Sequence, residues 1–264
     1  MPHCIYKHLH FKGEFNIKVK NKSIKIYHHG YELENELFWK GVNGWEKQTI
    51  KYWIWFSKRS NVIFDIGANT GIFSLLSKCI NENSQVYAFE PIPKAFEYLN
   101  KNIALNNYNI ISTSYALSNF DGTAKIYLPH NSNFAYSVTV NKNYLKNIPC
   151  QEIEIKTITL KSFILSNNIT KIDLMKIDVE THEPEVLEGM GEFLEGFQPI
   201  LFIEILNKEC ADKIKYIFSE LKSKYHFFEI NEKTGITQNN QLFSEYSKNY
   251  ILIPEKKLYL LNEQ

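Results

Sequence analysis

The chain has 264 residues, with 30 Lys and Arg against 29 Asp and Glu and a formal charge of +1. That length can bury a substantial core and is most simply one domain with an N-terminal extension. A balanced charge leaves no basic surplus for a phosphate backbone, so nucleic acid is disfavoured as a partner.

Cys4, Cys79, Cys150 and Cys210 are far apart and show no CxxC spacing, which points to neither a disulfide framework nor a zinc site. Met1 to His10 has no apolar core or cleavage signal, and no apolar run approaches bilayer length. The chain is expected to be soluble and cytoplasmic, with homo-oligomerisation left open.

In chain order, residues 1 to 58 stand outside the repeat that follows and are expected to form an extension or lid packed on the core. Within it, Tyr52 to Phe56 (YWIWF) predicts a packed helix. The segment Trp39 to Trp45, with Gly41 and Gly44 between its tryptophans, predicts a mobile loop that closes over substrate. Asn61 to Ile66 then reads as a strand, Gly71 to Ile80 as a buried helix, and Gln85 to Glu90 as a second strand. Pro93 to Asn106 is a helix opened by proline, and Ile110 to Ala116 a third strand.

Between Asp121 and Thr157 the pattern changes to short alternating runs at 123–128, 137–140 and 152–157, read as an inserted antiparallel ribbon. The βα alternation resumes with a helix over 160–165, a strand over 172–179, a helix start at 184–189 and a strand over 199–206. A helix over 211–223 leads to two last strands near 226–230 and 249–253. Alternating elements imply a parallel α/β sheet, here of seven strands, occupying residues 59–264.

Two segments concentrate chemistry. Asp65-Ile66-Gly67-Ala68-Asn69-Thr70-Gly71 joins the first of these strands to its helix, where glycines let backbone approach a ligand and helix N–H groups stand unpaired. Asn69 occupies the place of the third glycine of a dinucleotide fingerprint, so the spacing suits S-adenosylmethionine better than a nicotinamide. Glu90, at the tip of the second strand, is placed to accept ribose hydroxyls. The second segment is Ile172 to Glu183, where Lys176, Asp178, Glu180 and His182 gather near a strand's carboxyl end, joined by Glu204. Lys176, Asp178 and Glu204 sit within apolar strands, where an isolated charge is costly unless paired or functional.

With these motifs the sequence resembles the FkbM family of methyltransferases. The matching pieces are DIGANTG at 65–71, FEP at 89–91, ALSN at 116–119 followed by Asp121-Gly122, KTITLKSF at 156–163, DLMKIDVE at 173–180 and PILFIE at 199–204. The resemblance implies a Rossmann-like class I methyltransferase that transfers a methyl group to oxygen. The implied acceptor is commonly a hydroxyl of a sugar, expected here to be nucleotide-activated and to serve capsule or lipopolysaccharide synthesis in bacteria. It further implies that Asp65, Gly67, Asn69 and Gly71 form the methionine-side loop, that Glu90 holds the ribose, that Ala116-Leu117 lies near adenine, and that Glu46 orients the amino-acid end. The family pattern has glycine after KIDVE, whereas this chain has Thr181.

A sugar hydroxyl needs a base as the new bond forms, and the candidates rank Asp178, His182, Glu180. A divalent cation, magnesium or manganese on Asp178, Glu204 and Asn207, is the alternative. Other functional readings are a methyltransferase of RNA or another small molecule, and a non-catalytic cofactor-fold binding module. No Pro-Pro-aromatic motif for a flipped base favours the RNA reading.

Overall fold

A computed structural model describes residues 9, 11–129, 150–239, 241–244 and 246–262. The chain begins with a hairpin, β1 (Gly13–Val19) and β2 (Lys22–His28), paired antiparallel from Gly13↔His28 to Val19↔Lys22. Phe15, Ile17, Val19, Ile24 and Ile26 are buried at alternate positions, so one face of the hairpin joins the core. Asn102 and Asn106, on the helix beneath, receive the N–H groups of Tyr27 and Lys25 at 2.9 and 2.7 Å.

Helix α1 (Glu32–Lys40) follows, then a 3-10 turn (Gly41–Asn43) and α2 (Lys47–Ser57). The segment expected to be a mobile loop, Trp39 to Trp45, is thus mostly the end of a helix and a tight turn. Gly44 is folded so closely onto α1 that an added Cβ would lie 2.2 Å from the Glu36 carbonyl oxygen. Helix α2 extends the expected 52–56 helix in both directions. Trp53 is wholly buried, donates its indole N–H to Phe73 O at 3.0 Å and Ser77 Oγ at 2.9 Å, and meets Phe202 edge to face. The Glu232 carboxylate receives the first N–H groups of α2, from Gln48 at 2.7 Å and Thr49 at 3.2 Å, which ties the N-terminal region to the end of the sheet.

The remaining elements are β3 (Val62–Ile66), α3 (Ile72–Ile80), β4 (Gln85–Phe89), α4 (Pro93–Asn106), β5 (Ile110–Thr113), β6 (Ala116–Ser118), β7 (Gly122–Pro129), β8 (Cys150–Thr159), α5 (Leu160–Ser166), β9 (Leu174–Ile177), α6 (Glu183–Glu188), α7 (Glu192–Phe197), β10 (Ile200–Glu204), α8 (Lys208–Ser219), β11 (Tyr225–Asn231), β12 (Gly235–Gln238) and β13 (Asn249–Pro254), with a closing 3-10 helix (Glu255–Leu261). Strands β3, β9 and β10 bury nearly every residue, as continuous apolar runs in a sheet covered on both faces should.

The main sheet has eight strands in the order β12-β11-β13-β10-β9-β3-β4-β5. Strands β5, β4, β3, β9 and β10 are mutually parallel, and β13 runs antiparallel between β10 and β11. The eighth strand, β12, adds an edge beyond the seven expected, pairing Asn231↔Gly235 to Phe228↔Gln238. The third expected strand ends at Thr113, not Ala116, because Ala116–Ser118 leaves the main sheet to form β6. Strands β6, β8 and β7 make a separate three-stranded sheet in which β7 and β8 are antiparallel. The expected strand at 137–140 lies outside the described residues. Among the described residues, no helix is long and apolar enough to cross a membrane.

Candidate active site

The order of the parallel strands reverses between β3 and β9, and ligands in doubly wound sheets occupy the crevice at the carboxyl ends of such strands. A cavity of about 360 Å3 lies there, within the range of small-molecule sites. Its walls include Gly67, Ala68, Asn69 and Thr70 from the turn after β3, Glu90 after β4, and Ala116 and Leu117 from β6. Lys176, Asp178, Glu180 and His182 enter from β9 and the loop after it, Glu204 from β10, and Glu46 from the turn before α2.

The turn after β3 is shaped by close approach. Gly67, at φ 76°, and Asn69, at φ 53°, both take the left-handed conformation that asparagine and glycine tolerate best. An added Cβ on Gly67 would meet the Asp178 carbonyl oxygen at 1.9 Å, and one on Gly71 would meet Leu99 Cδ1 at 2.5 Å. Gly71 lets α4 pack against the turn and does not itself line the cavity. Asp65 also lies beneath the turn and not in the cavity wall. Its Oδ2 receives the Ser74 N–H at 2.9 Å and Ser74 Oγ at 2.6 Å, fastening the first turn of α3 to β3. Burial raises the Asp65 pKa, against the opposing field of Lys176, which lies opposite it in register on β9.

Glu90 is buried and accepts the N–H of Asn69 at 2.8 Å through Oε2 and that of Ile92 at 2.9 Å through Oε1. Each oxygen keeps a lone pair for a ligand. Burial pushes its pKa up to about 7 despite those two donors. Glu46 stands at φ 40° ahead of α2, is likewise pushed up to about 7 by burial against the pull of Lys176, and has one buried oxygen without a partner. Asn69 Oδ1 and Thr70 Oγ1 are buried and unpartnered in the same wall. Water or a bound molecule can complete the hydrogen bonding of such atoms.

On the opposite side, the Lys176 ammonium is buried, bridged to Asp178 Oδ2, and 4.6 Å from the centre of the Phe73 ring. Burial alone would lower its pKa, but the carboxylates of Asp178, Glu46 and Asp65 more than reverse that and hold it charged. Glu180 is pushed up to about 7 by burial and by Asp178, and Glu204 up to about 9 by burial, Asp178 and Glu180. His182 Nε2 lies 3.0 Å from Ser118 Oγ and Nδ1 3.6 Å from Glu185, and burial holds the imidazole below its ordinary pKa.

The suggested metal set does not assemble. Asn207 is the N-cap of α8, accepting the Cys210 N–H at 2.8 Å, and lies outside the cavity wall. Asp178 is committed to Lys176, and among the described residues no group of three or more His, Cys, Asp or Glu side chains could hold a metal ion. Wall residues that sequence reasoning missed include Glu32, Leu33, Phe73, Tyr115, Ile126 and Ile155. Ile126 and Ile155 alternate inward on β7 and β8, a period-2 signal that could have singled them out; nothing in the sequence flags Glu32.

This strand order, with its cavity at the glycine turn, defines a class I methyltransferase fold. The model of the FkbM methyltransferase domain matches residues 65–232, and the chain belongs to that family. It is 26% identical over 187 residues to the hexuronic acid methyltransferase AglP of Haloferax volcanii, covering 70% of this chain and 73% of that one. It is 28% identical over 156 residues to the 31-O-demethyl-FK506 methyltransferase FkbM of Streptomyces tacrolimicus, covering 50% of this chain and 60% of that one. A crystal structure of an FkbM methyltransferase from Methylobacillus flagellatus superposes with a TM-score of 0.46 at 14% identity, over 73% of this chain and 43% of that one.

Proposed function

We propose that the chain is an S-adenosylmethionine-dependent O-methyltransferase acting on a sugar hydroxyl. The observation that carries this reading is that one cavity is walled by the glycine turn and Glu90 on one side and by Asp178, Glu180, His182 and Glu204 on the other. The residues present fit the cofactor. Gly67 leaves a cradle that a Cβ would fill, Glu90 has lone pairs for ribose hydroxyls, and the unpartnered oxygen of Glu46 suits an ammonium at the amino-acid end.

When bound, the cofactor supplies a methyl group on a sulfonium that leaves as a neutral thioether. The chain aligns the acceptor oxygen with that carbon and excludes water, a contribution of about 7–11 kcal/mol in well-oriented systems. The Lys176–Asp178 pair is fixed by burial and orients the acceptor hydroxyl. Glu180, with its pKa near neutrality, takes the hydroxyl proton as the carbon–oxygen bond forms, and His182 is the second candidate for that role.

The sugar is proposed because a relative is named for methylating a hexuronic acid, and oxygen because another is named for an O-demethyl substrate. A nucleotide-activated sugar of bacterial capsule or lipopolysaccharide synthesis is the acceptor we would assay first. Incubation with S-adenosylmethionine and a panel of nucleotide sugars should give one product heavier by a methylene equivalent, seen by mass spectrometry. Methylation of RNA in place of every sugar would overturn the reading.

A further inference from the structure

The loop that delivers Glu180 and His182 to the cavity is built in an unfavourable conformation. Glu180 and Thr181 are consecutive left-handed residues, at φ 55° and φ 80°. Glycine is at ease there, while a β-branched residue such as Thr181 is a steric outlier that persists only where its surroundings hold it.

Those surroundings centre on one side chain. Glu183, the first residue of α6, is wholly buried, and its Oε1 receives the N–H of Val179 at 3.1 Å and that of Thr181 at 3.2 Å. The two donors flank Glu180, so a single oxygen closes the loop around the residue that faces the cavity. Cys210, packed from α8, donates its thiol to the Thr181 carbonyl at 3.3 Å and holds the other side of the same residue.

We infer that Glu183 is a positioning residue: its carboxyl clamps the 179–181 backbone in a left-handed turn, and that turn aims Glu180 and His182 into the cavity. Glu183 lines no part of the cavity itself, so it acts only through the loop. The inference deepens the proposed function by naming what holds its acceptor side in place, and it stands whichever of the two residues takes the proton.

The strain at Thr181 makes the clamp testable by compensation. With both acceptor oxygens removed in Glu183→Leu, Thr181 has reason to leave the left-handed region, and His182 should swing toward solvent. In Thr181→Gly/Glu183→Leu the loop can stay in place without the clamp, because glycine is at ease at this φ. The readout is the NMR titration of the His182 imidazole in full-length protein, its signal assigned with His182→Gln, alongside S-adenosylmethionine binding by calorimetry. Wild type should titrate below the ordinary histidine range, Glu183→Leu should move up toward about 6.5, and the double variant should return to the wild-type value.

A His182 value that stays low in Glu183→Leu, or that rises and is not restored by Thr181→Gly, overturns the inference. If Glu183→Leu does not fold, amide exchange in the wild type decides. The Val179 and Thr181 N–H groups should be protected to the degree of β9, and free exchange of Thr181 would contradict the clamp. Loss of cofactor binding by the wild type would instead strike the proposed function and leave the titration result standing.

Discussion

Gly67 lies against the backbone of Asp178, so near that a Cβ added to it would stand 1.9 Å from the Asp178 carbonyl oxygen. The glycine turn and the Asp178 side of the cavity are therefore packed backbone against backbone. Gly67→Ala must both adopt φ 76° and push β9 aside. We expect a stability loss of at least about 2 kcal/mol, combining left-handed strain with overpacking. Thermal unfolding should show a fall in Tm of roughly 4–8 °C, at about 2–4 °C per kcal/mol for a domain of this size.

Proton removal by Glu180 predicts a specific pH profile. Turnover should rise with pH to a plateau above about 7, where Glu180 has lost its proton. Glu180→Gln should lower turnover about a hundredfold and abolish that limb. Asp178→Asn should lower it to a similar extent by releasing Lys176, and should keep the limb but move it to lower pH, because Asp178 no longer raises the Glu180 pKa. If the limb survives in Glu180→Gln and disappears in His182→Ala, the proton goes to the histidine.

Stability should depend on pH with the opposite sense. Burial and the nearby carboxylates of Asp178 and Glu180 push the Glu204 pKa up to about 9, from a usual value near 4.5. The folded state thus holds this proton more tightly than the unfolded chain. Its stabilising contribution is complete below about 4.5 and is lost as pH climbs through about 9. Glu183, pushed up to about 8 mainly by burial, acts in the same direction. The ligand-free protein should unfold at a lower temperature at pH 9 than at pH 6, and Glu204→Gln should reduce that difference. An unchanged difference would mean Glu204 ionises normally.

Because Asn207 serves as the cap of α8, Asn207→Ala should cost about 1 kcal/mol of stability and leave turnover near that of the wild type. Dialysis against EDTA should likewise leave turnover unchanged. Activity lost to EDTA and restored by manganese or magnesium would require a metal site that the described residues do not show.

The central sheet was legible because parallel strands write themselves as apolar runs. Val62–Ile66, Leu174–Ile177 and Ile200–Glu204 each carry one, and Gly67 marks where the first must turn. The N-terminal hairpin was missed although its alternation is plain in Phe15, Ile17 and Val19, because the polar Asn16 and Lys18 between them hid the buried face. Two glycines between tryptophans at 39–45 suggested a loop, yet Gly44 is small because α1 lies against it. At the site, the sequence named most of the charged wall residues, but it could not separate Glu90, which faces the cavity, from Asp65, which supports it from below. The roles of Glu183 and Thr181 depend on φ angles and burial, which no spacing of residues encodes.

Calorimetric titration of the purified chain with S-adenosylmethionine tests the role of this cavity most directly. We predict one site per chain, weakened in Glu90→Ala by about 1.5–3 kcal/mol for the loss of charge-assisted hydrogen bonds. Asp65→Ala should lower Tm as well as affinity, since Asp65 acts through Ser74. No binding by the folded wild-type protein, or binding that Glu90→Ala leaves unchanged, would contradict the assignment of this cavity.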